Sequence, residues 1–157
     1  MIESDKRGPK NKIQLLYSNE EFYVPENVYI LGMMNTADRS LAIIDYALRR
    51  RFAFVEFEPG FESEGFKHQQ KEISNEKYNR LITCVEELNE KIANDFSIGK
   101  GFRIGHSYFI PKNFSDVDDE WLSDVVNYEL IPLLEEYWFD ESDKLSEWKR
   151  KLEDAIR

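Results

Sequence analysis

Residues 28–57 read VYILGMMNTADRSLAIIDYALRRRFAFVEF, and the alternation of apolar and polar blocks in this stretch decides the fold class. An apolar run, Val28 to Met34, stops at a polar cluster, Asn35-Thr36-Ala37-Asp38-Arg39-Ser40. Leu41, Ile44 and Leu48 then recur at the spacing of one helical face, the segment closes on Arg49, Arg50 and Arg51, and a second apolar run follows from Phe52 to Phe57. Strands covered on both faces lose the alternation of inward and outward side chains, so two short apolar runs around a helical segment predict a buried parallel sheet with a crossover. Polar groups at the carboxyl end of such a strand face the crevice where open α/β sheets bind ligands.

Before this stretch, Met1 to Lys12 is polar and basic with a Gly8-Pro9 step, which reads as a helix end passing into a loop. Ile13 to Tyr17 and Phe22 to Val24 are short apolar runs joined by Ser18-Asn19-Glu20-Glu21, the pattern of a hairpin with a longer turn. Pro25-Glu26-Asn27 turns the chain into Val28. Beyond Phe57, Pro59-Gly60 ends the second run, and residues 60–73 are charged and turn-rich, as in a linker between lobes. The remainder reads as helical. Tyr78, Leu81, Ile82, Val85, Leu88 and Ile92 form one amphipathic stripe; Trp121 to Phe139 is densely apolar, with Pro132 expected to kink or divide its helix; Leu145, Trp148, Leu152 and Ile156 stripe a last helix. Trp121, Tyr137, Trp138, Phe139 and Trp148 are expected to knit the core of this half. The organisation predicted is an α/β base over residues 1–59, a linker over 60–73 and a helical lobe over 74–157.

With 157 residues, 41% of them hydrophobic, the chain can bury the core of one domain or two small lobes. A formal charge of −10 argues against broad adhesion to nucleic acid, because that binding is driven by Lys and Arg displacing counterions. Much of the negative charge falls between Asp116 and Glu141, which reads as a solvated face before it reads as a surface for a basic partner. The lone Cys84 excludes an internal disulfide and suits a small core or boundary residue. No leader pattern opens the chain, and no apolar run approaches the ~20 residues needed to cross a bilayer, so a cytoplasmic location is expected.

Several side chains carry candidate chemistry. Asn35 ends the first run, and one Asn side chain holds both an acceptor and two donors, enough to orient a water and touch a phosphate oxygen together; a turn Asn satisfying its own backbone is the plainer reading. Asp38 and Ser40 are each able to cap the following helix. Asp45 and Arg49 lie one turn apart and are expected to pair. Cations at a helix C-terminus are favoured by the dipole, yet three in a row exceed that need, and arginine's planar fork suits phosphate oxygens. Ile98 to Ile110 is the second cluster, IGKGFRIGHSYFI, in which Gly99, Gly101 and Gly105 permit close backbone approach beside Lys100, Arg103 and His106. His106 lacks nearby metal-ligating partners and is expected to hydrogen-bond within its lobe, while His68 is expected to be exposed.

The string GMMNTADRSLAIIDYALRRRF, with FYVPENVYI before it and GKGFRIGHSYF after it, resembles the AAA+ GTPase subunit of modified-cytosine-specific restriction systems, the McrB family. The resemblance implies a partial AAA+ P-loop NTPase base, with its hairpin, sensor-1 strand, following helix and strand, plus an all-α lid. By that resemblance the hairpin is the one that precedes the sensor strand, where such insertions often line a central pore, with a surface hairpin making no contacts as the competing reading; Asn35 is the first sensor, Arg50 and Arg51 supply an arginine finger acting across a subunit seam, and Arg103 is the second sensor. Asp38 and Arg39 would then contact nucleotide, with organisation of the site as the competing role, and Arg49 is assigned to its Asp45 pair. GTP, favoured over ATP, and Mg2+ are the implied ligands of the complete protein. Self-association into a hexameric ring, a McrC-like nuclease subunit, and DNA held by other parts of the complex are the implied partners, with no membrane.

Two elements of such a motor have no counterpart. A phosphate loop needs G-x-x-x-x-G-K-[ST]; Gly60 to Gly65 has the glycine spacing, but Phe66 stands where lysine is required. No apolar run ends in an Asp-Glu pair to hold magnesium. In the family both precede the region matched here, so the chain is expected to be the C-terminal part of the module, inactive alone, with strand edges that invite self-association. A MoxR-like ATPase that remodels proteins and a non-enzymatic module whose arginines bind an acidic partner are the alternative readings.

Overall fold

The computed structural model of the chain describes residues 3–35 and 46–157. It divides into two compact units, Met1–Glu56 and Phe57–Arg157. The first carries eight acidic and eight basic residues and the second 23 and 13, so the whole net charge of −10 belongs to the second.

In the first unit the expected hairpin is present but short. Strands β1 (Ile13–Gln14) and β2 (Glu21–Phe22) pair antiparallel, with Ile13 opposite Phe22 and Gln14 opposite Glu21. The Leu15 N–H donates to the Glu20 carbonyl at 2.9 Å, and Asn19 turns the chain in the left-handed region at φ +56°, a conformation Asn tolerates better than most side chains. Gly8 has φ +82°, and its N–H donates to the Val24 carbonyl at 2.8 Å. A Cβ there would meet the movable side chain of the exposed Glu26, so it is the positive φ that calls for glycine.

The two long runs that were expected to be strands are not strands. Residues 28–35 and 53–58 have no regular secondary structure, and among the described residues the only ladder is β1–β2. The physical reason is hydrogen bonding: a strand forms only where another backbone satisfies its N–H and C=O groups. Leu31 and Met33 are 93% and 95% exposed, and Val28, Ile30 and Met34 on the other parity are exposed as well. Of the helix expected after Ser40, α1 (Tyr46–Arg49) is described; Leu41 and Ile44 lie outside the described residues.

The second unit is all-α, as expected. Its helices are α2 (Glu64–Ile73), α3 (Glu76–Ala93), α4 (Asp119–Asp124), α5 (Ile131–Tyr137) and α6 (Ser142–Ala155). Residues 60–73, expected as a linker, instead form a 3-10 turn, Gly60–Glu62, and α2, with Phe61, Phe66 and Gln69 buried. The Ser63 hydroxyl accepts from the Phe66 N–H at 3.3 Å and starts α2. Gln69 Nε2 donates to Tyr78 Oη and to the Phe109 carbonyl, each at 2.8 Å, and Tyr78 Oη donates to the same carbonyl at 2.7 Å. Burial pushes the Tyr78 phenol up to about 12, so it stays a neutral donor.

The predicted stripe is the spine of the core: Tyr78, Leu81, Ile82, Val85, Leu88 and Ile92 are all buried on α3, packed with Ile104, Phe109, Leu122, Leu130, Leu134 and Leu152. Pro132 does not divide its helix, which runs unbroken from Asp119 to Tyr137. A π-helical segment, Val125–Leu130, links α4 to α5, and Pro132 sits in the first turn of α5. The wider π turn absorbs the missing N–H just where proline withholds it. Of the aromatics expected in the core, Trp138 and Trp148 are buried and Trp121 and Tyr137 partly so, whereas Phe139 is exposed. Among the described residues, no helix is long and apolar enough to cross a membrane.

Candidate functional site

The first unit holds Asn35, Arg49, Arg50 and Arg51 among its described residues. Asn35 is exposed at the end of residues 28–35, not packed inside the protein. Asp38, Arg39 and Asp45 lie outside the described residues, and with Asp45 goes the expected Asp45–Arg49 pair. Arg49 has a different neighbour: its guanidinium carbon stands 5.6 Å from the centroid of the Phe54 ring, a cation–π arrangement. The arginines beside it diverge. Arg51 Nε donates to Glu3 Oε1 at 3.0 Å, which ties it within its own unit. Arg50 is exposed and has no partner among the described residues. Farther up the chain, Arg7 Nη1 donates to the carbonyl of Val28, the first residue of the long apolar run.

In the second unit the Ile98–Ile110 cluster forms a set of turns fixed at several points. Gly99, at φ +82°, opens a 3-10 turn, Lys100–Phe102. Arg103 follows. Its Nε donates to the Lys100 carbonyl at 3.0 Å and its Nη1 to Glu58 Oε2 at 3.2 Å, with the side chain 18% exposed. The hydrogen bond from Arg103, then its charge, hold the Glu58 carboxyl below the usual carboxylate range, so Glu58 is an anion at neutral pH. The next residue is clamped from the core: Asn89 Oδ1 accepts from the Ile104 N–H at 2.6 Å, and Asn89 Nδ2 donates to the Ile104 carbonyl at 2.9 Å.

His106 does hydrogen-bond within its unit. Its Nδ1 accepts from the Gly60 N–H at 2.9 Å, which makes Nε2 the protonated nitrogen of the neutral ring. Phe66 meets the ring edge to face at 5.8 Å. The structure thus brings Glu58, Gly60, Arg103 and His106 together, with Arg103 and His106 gripping the first residues of the unit. His68 is exposed, as expected.

Sequence reasoning missed Glu58 and Asn89. Glu58 carries no local signal, because its partner is 45 residues away. Asn89 did carry one: it sits four residues after Val85 on the apolar stripe, and a polar side chain there needs a specific partner. Among the described residues, no group of three or more His, Cys, Asp or Glu is placed to hold a metal ion.

Residues 80–146, most of the helical unit with the Arg103 turns, match the family described as the McrB alpha-helical lid domain. Across 160 aligned residues the chain is 48% identical to the type IV methyl-directed restriction enzyme EcoKMcrB subunit of Escherichia coli strain K12; the match covers 97% of this chain and 35% of that protein. The chain therefore spans about a third of the length of that relative. The helical fold over the matched lid, with an alignment that reaches through the Asn35 and arginine region as well, shows that this chain belongs to the McrB family.

Proposed function

We propose that the chain supplies the first sensor, the arginine finger and the lid of a McrB-like motor subunit that hydrolyses nucleoside triphosphate, with GTP favoured over ATP, in restriction of modified DNA. The observation that carries this reading is the apolar run from Val28 to Met34, exposed on both parities and ending at an exposed Asn35. Such a run is a strand awaiting neighbours, and the strand that bears a phosphate loop is the neighbour the family supplies. In the completed module, that loop and an acidic pair outside this chain hold the triphosphate and Mg2+. Asn35 orients the attacking water through its amide. Arg103 meets phosphate from the lid in the same subunit, and Arg50, exposed and without a partner among the described residues, reaches the nucleotide of a neighbouring subunit and stabilises charge developing on the transferred group. Arg51, bonded to Glu3, fixes the segment from which Arg50 projects. Ring assembly, a McrC-like nuclease partner and DNA belong to the same proposal, and the chain by itself does not turn over nucleotide.

The test is Arg50→Ala in the longer protein that carries the complete module. Turnover is expected to fall by about 10³-fold or more, as for other arginine fingers, while equilibrium binding of nucleotide stays within a few-fold. Turnover that survives Arg50→Ala sinks the finger assignment; loss of both binding and turnover points to a folding role instead.

A further inference from the structure

We propose that Glu58 is a positioning residue for the lid arginine: its carboxylate, 3.2 Å from Arg103 Nη1, holds the guanidinium in one orientation so that the other N–H donors of the fork meet an incoming phosphate. The inference rests on the reading of Arg103 as a phosphate contact and deepens it.

Three features of the site lead to Glu58. Arginine presents five donors in a rigid plane, and here two of its three nitrogens are engaged, Nε with the Lys100 carbonyl and Nη1 with Glu58, which leaves Nη2. The remaining donors of Arg103, both N–H groups of Nη2 among them, have no partner among the described residues, and no buried side-chain nitrogen is left unsatisfied, so they open to solvent. The fork is also mounted on a rigid base. The double hydrogen bond between Asn89 and Ile104 fixes the backbone after Arg103, and the Gly60 N–H to His106 Nδ1 bond fixes the backbone two residues after Glu58. Both members of the ion pair are therefore anchored through their neighbours. A long side chain held in one rotamer before the ligand arrives loses less freedom on binding, and a carboxylate bonded at Nη1 enforces that rotamer while leaving the Nη2 donors unoccupied.

The experiment is a double-mutant cycle on the protein carrying the complete module, read by equilibrium binding of a fluorescent GTP analogue and of its ATP counterpart with Mg2+. R103A is expected to weaken binding. E58A is expected to weaken it by about tenfold, with no further loss in E58A/R103A, because a positioning group acts only through the residue it positions. E58Q keeps one acceptor oxygen and is expected to recover part of the loss, and the thermal midpoint of each variant is expected to stay near that of the parent, since the pair is largely exposed at Glu58. If R103A weakens binding but E58A leaves it unchanged or tightens it, Glu58 is a competitor of phosphate or a bystander and the inference is overturned while the Arg103 reading stands. Additive losses overturn it too. Binding unaffected by R103A removes the reading on which it rests.

Discussion

Asn89 and Ile104, 15 residues apart in sequence, form a closed ring of two hydrogen bonds, the amide oxygen accepting at 2.6 Å and the amide nitrogen donating at 2.9 Å. Both residues are buried, so α3 reaches through the core and holds the backbone beside Arg103. The same contact serves stability and the geometry of the site.

Removing that amide leaves two buried backbone groups without partners. Asn89→Ala is expected to lower the unfolding free energy by about 2–6 kcal/mol, given roughly 1–3 kcal/mol for each of the two orphaned groups. Urea unfolding of this chain, followed through Trp138 and Trp148 fluorescence, measures it. A loss below about 1 kcal/mol would mean water replaces the amide and Arg103 is not anchored through α3.

Asp95 gives the protein an acid limb. Its side chain, 4% exposed, accepts from Lys144 Nζ at 2.7 Å, from Trp138 Nε1 at 3.1 Å and from the Ser97 N–H at 2.8 Å. The Lys144 bond above all, with the Ser97 and Trp138 bonds, brings its carboxyl down to about 2. A folded-state value below the unfolded one means the ionised form stabilises the fold: the contribution is complete above about pH 4 and is lost as pH falls toward 2. Asp95→Asn is expected to lose roughly 1–2 kcal/mol at pH 7 and to show a flatter decline between pH 4 and 2 than the parent. Equal slopes for parent and variant in an acid titration of stability would contradict the assignment.

Gly60 is required by its neighbour and not by its backbone angle. A Cβ at this position would lie 2.9 Å from His106 Cε1 and 3.1 Å from Nδ1. Gly60→Ala is expected to destabilise by about 1–3 kcal/mol by pushing the ring off the Gly60 N–H. In the His106→Ala background the same change has nothing to strike, so the two are expected to be strongly non-additive. Thermal unfolding of the four chains in that cycle decides it; simple additivity would show that the ring swings aside freely.

The exposed run Val28 to Met34 predicts self-association of the isolated chain, because unpaired apolar backbone offers a template for another copy. Light scattering over a concentration series is expected to show species above the monomer, and Leu31→Lys with Met33→Glu, at side chains that are almost wholly exposed, is expected to shift the population toward monomer. A parent chain that is monomeric throughout would refute this.

Local pattern and long-range partnership divided the chain between them. The α3 stripe from Tyr78 to Ile92 was legible because helical hydrogen bonds close within the segment and its apolar period already names the buried face. The hairpin was legible from its turn residues, and the lid itself was readable through its matched strings. Residues 60–73 were not: charge and turn formers hid Phe61 and Phe66, whose role appears only when His106 and Phe109 pack against them. Pro132 was read as a break because local rules do not foresee a π turn upstream.

By itself the sequence determined the helical lobe and its apolar spine, since helical hydrogen bonds and periodicity depend on neighbours within a turn or two. Tertiary structure alone decided that the runs 28–34 and 52–57 stay unpaired, that Arg51 bonds Glu3 while Arg50 stays exposed, and that Glu58 bonds Arg103 and Asn89 bonds Ile104. Those outcomes depend on hydrogen-bonding partners many residues away, and whether such a partner meets its group is settled only when the chain folds.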